Sequence, residues 1–191
     1  DAHSISAIVS QPGMTVLYRD GLTGDYSATN PSYTNAGSYV VYFKAIDPAG
    51  NYADAYNNTT VDIDQVEVTV TADGQTMTYG DAVLPTESVT YTGFVHGEDE
   101  GVVSGTVGYI YKNGATEVTR SSSMPAGGYT ITPDLSGISA ANYTFKAASG
   151  SLTVNKAVLT VTAENKSRVY GNTALPDESA AFTGFVNGEN A

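Results

Sequence analysis

The stretch Thr69-Val70-Thr71-Ala72, Tyr79-Gly80, Leu84-Pro85 and Thr92-Gly93-Phe94-Val95-x-Gly97-Glu98 is written twice in this chain. It returns 91 residues later as Thr160-Val161-Thr162-Ala163, Tyr170-Gly171, Leu175-Pro176 and Thr183-Gly184-Phe185-Val186-x-Gly188-Glu189. Between 67–99 and 158–190 there are 16 identities in 33 ungapped positions. A fixed period marks an array in which each copy is one folding unit. The echo runs wider than this block. Ala36-Gly37-Ser38-Tyr39 precedes Ala126-Gly127-Gly128-Tyr129 by 90 residues, and Asn51-Tyr52 precedes Asn142-Tyr143 by 91. Residues 1–64 therefore read as the later part of one repeat, 65–155 as a complete one, and 156–191 as the opening third of another. Both ends fall inside a period, as expected of a window on a longer protein.

The local pattern is that of strands. Val66-Glu67-Val68-Thr69-Val70-Thr71 alternates apolar and polar residues, which puts three Val on one face. Its counterpart is 157–162. Further strands are predicted at 39–46, 59–63, 106–111, 129–132 and 151–154, with a hairpin signalled by Asn113-Gly114 between 106–111 and 117–119. No segment carries a helical apolar stripe, and Ser136-Gly137-Ile138-Ser139-Ala140 offers at most one helical turn. The expected class is all-β: tandem Ig-like β-sandwich modules in an elongated array. Asp64-Gln65 and Asn155-Lys156 are the only spacers between periods, so neighbouring repeats are expected to be stiffly coupled. The Tyr after Ala-Gly-x, at Tyr39 and Tyr129, has the placing of a tyrosine corner, whose hydroxyl caps a backbone group.

Charge and chemistry narrow the function. A formal net charge of −12, with eight Lys and Arg in all, disfavours nucleic acid. No apolar run reaches the length of a membrane-spanning helix. The chain has two His and no Cys, and His96 is replaced by Asn187 one period on. It has no nucleophile elbow and no phosphate-cradling loop, so no enzyme is expected and no required cofactor. The remaining cation candidates are Asp62, Asp64 and Glu67 at a period boundary, the loop Glu98-Asp99-Glu100, and Asp47-Pro48-Ala49-Gly50-Asn51. Ca²⁺ is the ion whose oxygen preference such groups meet; the alternative is a solvated strand face and an ordinary turn. Tyr18, Tyr26 and Tyr33 are candidates to stack on a sugar, against the ordinary reading of sheet packing. Lys156 lacks the repeated counterpart that an isopeptide cross-link would need, because Gln65 stands there. The Asn-x-Thr/Ser triplets at Asn57, Asn58, Asn142 and Asn165 matter only in a eukaryotic secretory pathway.

The ordered set Thr-Val-Thr-Ala-x6-Tyr-Gly, Thr-Gly-Phe-Val-x-Gly-Glu, Gly-Tyr-Thr-Ile, Ala-Asn-Tyr-Thr-Phe and Gly-Ser-Leu-Thr-Val-Asn-Lys-Ala resembles the MBG-type repeats (mucin-binding-glycoprotein-like, YGX type) of large bacterial surface proteins. The resemblance covers 65–155 fully and 156–191 in part. Residues 1–64 resemble the related variety that opens with Tyr-Asp-Gly, without that opening strand. It implies an extracellular, cell-surface location and a stalk or attachment role. Alternatives are repeats that bind host glycan or mucin directly, or a spacer in a secreted polysaccharide-active enzyme. The partners it suggests are neighbouring repeats. Other copies are a further expectation, through strand complementation at the apolar positions Val158, Leu159 and Val161.

Overall fold

A computed structural model describes residues 2–6, 12–174, 177 and 179–191. The repeated Leu175-Pro176 pair lies outside the described residues. The fold is all-β. Among the described residues fifteen strands follow one another: β1 (Thr15–Asp20), β2 (Gly37–Ile46), β3 (Ala55–Ile63), β4 (Val66–Ala72), β5 (Gln75–Thr78), β6 (Val89–Thr92), β7 (Ser104–Gly105), β8 (Gly108–Asn113), β9 (Thr116–Val118), β10 (Gly127–Asp134), β11 (Ile138–Ser139), β12 (Tyr143–Ala148), β13 (Gly150–Asn155), β14 (Thr160–Ala163) and β15 (Ala180–Thr183). Among the described residues the only helical element is a 3-10 turn at Glu100–Val102, N-capped by the Asp99 carboxylate. The helical turn expected at 136–140 is instead a turn leading into β11. The strand expected at 157–162 begins only at Thr160.

The residues group into two compact units. The first holds Asp1–Val68, Gly93–Ser104 and Ser139–Phe145; the second holds Thr69–Thr92, Gly105–Ile138 and Lys146–Ala191. Each unit thus draws on two successive sequence periods and contains one boundary between them.

In the first unit β1, β2 and β3 form an antiparallel sheet in that order, with Arg19 opposite Tyr42 and Lys44 opposite Tyr56. Val41 at its centre is fully buried. In the second unit a five-stranded sheet runs β5-β13-β10-β8-β9. The β8–β9 hairpin forms where Asn-Gly predicts it, but Asn113 ends the strand and Gly114 alone takes a positive φ, 59°. Alternation then sorts the side chains: Tyr129, Ile131, Leu152 and Val154 point inward with Tyr111, Met77 and Met124. Ala72 of β4 joins this cluster, so the core is shared with the antiparallel β4–β6 pair. Burying a side chain of Leu or Ile size contributes about 1.5–3 kcal/mol, and Ile131 and Leu152 are 1% and 0% exposed.

One polar cluster edges this core. The Glu87 carboxylate accepts from the Tyr111 hydroxyl at 2.8 Å and from Arg120 at 3.3 Å, and Arg120 also donates to the Pro85 carbonyl. Burial and the bond to Glu87 push the Tyr111 hydroxyl well above the usual tyrosine range.

Both predicted tyrosine corners are present. The Tyr39 hydroxyl donates to the carbonyl of Asn35 at 3.0 Å, and that of Tyr129 to the carbonyl of Pro125 at 2.8 Å. Each reaches back four residues, which pins the turn before the strand.

Candidate functional site: the period boundaries

The motif Val-x-Gly-Glu is a two-residue reverse turn in both copies. His96 and Gly97 have φ of 58° and 77°, and Glu98 N–H donates to the Val95 carbonyl at 3.1 Å. Asn187 and Gly188 have φ of 52° and 78°, and Glu189 N–H donates to the Val186 carbonyl at 3.0 Å. Two positive φ values closed by an i+3 to i bond define a type I′ turn. The Gly before Phe is dictated by close approach. A Cβ on Gly93 would meet the Glu67 carbonyl at 2.9 Å, and one on Gly184 would collide with the Val158 carbonyl, its counterpart one period on.

In the first unit this turn is tied to Tyr143, whose hydroxyl bonds the Glu98 carboxylate and lies 3.2 Å from Val95 N, which donates to it. Accepting a bond from the Tyr143 hydroxyl, the Glu98 carboxylate holds that phenol above its ordinary pKa. Phe94 meets the Tyr143 ring edge to face at 5.1 Å. The neighbouring Asn142 crosses the boundary between periods. Its side-chain oxygen accepts from Ala36 N–H at 2.9 Å, its amide donates to Asn35 at 3.3 Å, and its carbonyl accepts from Val66 N–H at 3.0 Å. Gln65, in the two-residue spacer, donates to the Ala141 carbonyl at 3.0 Å. The chain's two histidines, His3 and His96, line one cavity of about 410 Å³ here, with Asp64, Glu98 and Asn142.

In the second unit the equivalent turn meets the Tyr-Gly turn of the period before it. The Tyr79 hydroxyl donates to Glu189 at 2.7 Å, and Asn187 exchanges bonds of 3.4 Å with the Ser122 hydroxyl and carbonyl. An apolar cavity of about 400 Å³ lies along this seam, lined by Tyr79, Pro125, Ala126, Leu159 and Phe185 among others.

The other candidates fall elsewhere. Asp62 lies on β3 one residue before its end, Asp64 sits in the spacer and Glu67 on β4, all exposed. Among the described residues no group of three His, Cys, Asp or Glu side chains is placed to hold a metal ion. Asp47 spends its carboxylate on the backbone N–H of Ala49 and Asn51, at 2.9 and 2.7 Å, which makes the Asp47–Asn51 segment a self-capped turn. Tyr33 is buried rather than exposed: it stacks on Tyr39 at 4.0 Å and donates to Asp20 at 2.7 Å. Tyr18 is half-buried, its backbone paired with Ser27. Tyr26 is also half-buried, with Arg19 4.8 Å and Lys44 5.3 Å from its ring centre. Lys156 is exposed beside the second cavity. Val158, Leu159 and Val161 are exposed at 81%, 50% and 59%, whereas Val68 and Val70, the counterparts of Leu159 and Val161, are fully buried.

Sequence reasoning missed the Asn142 clasp and the left-handed x position of the turn. The recurring Asn-Tyr pair and the recurring Val-x-Gly-Glu were the available signals.

The chain is thus an all-β protein in which one sequence motif builds the same turn twice. It belongs to the MBG domain family, YGX type, which matches residues 68–153 and again 159–191. No curated protein matches the chain.

Proposed function

We propose that this chain is a structural repeat segment of a bacterial cell-surface protein, a stiff stalk that carries attachment functions away from the cell. The observation that carries this reading is that residues recurring at the period make bonds across the period boundary: Asn142 to Asn35 and Ala36, and Glu189 to Tyr79. With only Asp64-Gln65 as spacer at the first boundary, such bonds restrict hinge motion. Membership of a family found in surface proteins supports the extracellular location. The test is small-angle scattering on the full chain. A compact globule of this length has a radius of gyration of roughly 16 Å; the stalk reading expects a value well above it, and a value near it overturns the reading.

A second reading, direct binding of a glycan, is favoured by one cluster. Arg19 lies 4.8 and 5.0 Å from the rings of Tyr26 and Tyr42, and Lys44 approaches Tyr26 and the exposed Tyr56. Aromatic and cationic groups on one sheet face suit an acidic sugar. Loss of mucin binding on Tyr56→Ala, with unchanged melting, would favour it. The third reading, a spacer in a secreted polysaccharide-active enzyme, is decided by whether a catalytic domain flanks this segment.

A further inference from the structure

We propose that the Tyr-Gly turn of one repeat is the socket for the Val-x-Gly-Glu turn of the next, so that the two motifs marking the period are the halves of one lock. The inference deepens the stalk reading and rests on it for its biological consequence. Its geometry lies within the second unit. Thr78 to Asp81 form the Tyr-Gly turn, closed by Asp81 N–H to the Thr78 carbonyl at 3.0 Å, with Gly80 at φ 88°. That φ alone asks for glycine. A second demand comes from the next repeat: a Cβ at position 80 would collide with the branched side chain of Val186. The Ser122 carbonyl then joins the halves. It accepts from Gly80 N–H at 2.8 Å and from the Asn187 side-chain amide at 3.4 Å. The Tyr79 hydroxyl completes the set on Glu189. Val186, Asn187 and Glu189 each meet the socket, while Gly188 supplies the backbone conformation that presents them.

Two further observations fit a lock rather than a chance contact. The same turn position, Glu98, is held in the first unit by Tyr143 of its own repeat. A carboxylate has room for several donors, so in a boundary between complete repeats the Glu can take one tyrosine from each side. Tyr170-Gly171 builds the same turn as Tyr79-Gly80, with Gly171 at φ 87° and Asn172 N–H donating to the Val169 carbonyl at 3.2 Å. There Tyr170 is fully exposed and a Cβ on Gly171 would meet nothing within 4 Å. The Tyr-Gly turn is therefore formed by its own residues, without a Val-x-Gly-Glu turn seated on it.

The test is a double-mutant cycle on the full chain with Tyr79→Phe and Glu189→Ala, read by hydrogen exchange of the β14 and β15 amides. Each single change is expected to speed exchange there about fivefold, the worth of one ordinary net hydrogen bond. The double variant should be no faster than either single one, and Glu189→Gln, which keeps an acceptor, should recover part of the protection. Amides of β10 serve as the control for global folding and should not change. Independent, additive effects, or no effect of either single variant, overturn the lock. Scattering near the compact value with a positive cycle would reject the stalk and keep the lock; an extended particle with a null cycle would do the reverse.

Discussion

His96 and Asn187, one period apart, hold the same left-handed backbone at φ 58° and 52° although their side chains differ. What the period preserves at this position is a conformation. Asn and His are among the residues that adopt it most readily.

Substitution should therefore follow backbone preference. His96→Asn and His96→Gly are expected to leave stability nearly unchanged. His96→Val, β-branched and ill-suited to positive φ, should cost about 1–2 kcal/mol, measured by denaturant unfolding of the full chain.

The tyrosine corners should differ in weight. Tyr129 is 6% exposed and its hydroxyl bond to Pro125 is partly buried, so Tyr129→Phe should cost about 1 kcal/mol. The bond of Tyr39 to Asn35 is solvent-exposed, and Tyr39→Phe should cost less. Paired melting curves of the two variants decide the order.

Removing the acceptor at the edge of the core should be worse than removing either donor. Glu87→Ala strands the Tyr111 hydroxyl and leaves Arg120 only the Pro85 carbonyl, an expected loss of about 2 kcal/mol. Tyr111→Phe leaves Glu87 its Arg120 contact and should lose about half that. Equal losses would show that Glu87 does not organise the cluster.

Alkali should weaken the first unit through Tyr33. Burial and the bond to Asp20 raise its pKa from the usual 10.0 to about 12. The folded state thus holds the neutral phenol more firmly than the unfolded chain does. The stability this gives is complete below pH 10 and drains away as pH rises from 10 through about 12. Asp73 and Asp134 act at the other end. Hydrogen bonds from Ser88 and Thr90, and from Ser136, hold these carboxyls below the usual range. Their contribution is present above the ordinary carboxylate pKa and is lost as pH falls through the depressed values. A pH series of unfolding curves, with Tyr33→Phe flattening the alkaline limb, checks both signs.

The segment of Val158, Leu159 and Val161 is proposed to associate with a second copy by strand complementation. Sedimentation of the full chain should then show concentration-dependent association. Val161→Asp with Leu159→Asp should abolish it while β10 keeps its exchange protection. A monomer at all concentrations would reject the proposal.

Much of the architecture is legible in the sequence because the period and the alternation act at the level of single residues. Val66 to Thr71, Gly-Tyr-Thr-Ile and Ser151 to Val154 each show their inward face in the letters. The site is less legible. Asn142 reads as a glycosylation triplet, and its clasp on Ala36 depends on residues more than a hundred positions away. Tyr33 reads as an exposed ring because nothing nearby reveals that Tyr39 will stack on it. The acidic run Glu98-Asp99-Glu100 reads as a cation loop, yet Glu98 is taken by Tyr143 and Asp99 by a helix cap. Short polar motifs leave their long-range partners unspecified.

The pairing of β5 with β13 is parallel, with Gln75 beside Leu152 and Thr78 beside Asn155. One strand lies near the start of the period and the other closes it. A pulling force that enters ahead of Gln75 and leaves beyond Asn155 therefore drags the two strands past each other lengthwise. All the bonds of that ladder must yield together, whereas a hairpin loaded at its open end gives way one bond at a time. The same four-residue pairing that closes the sheet is thus placed to resist tension along the strands.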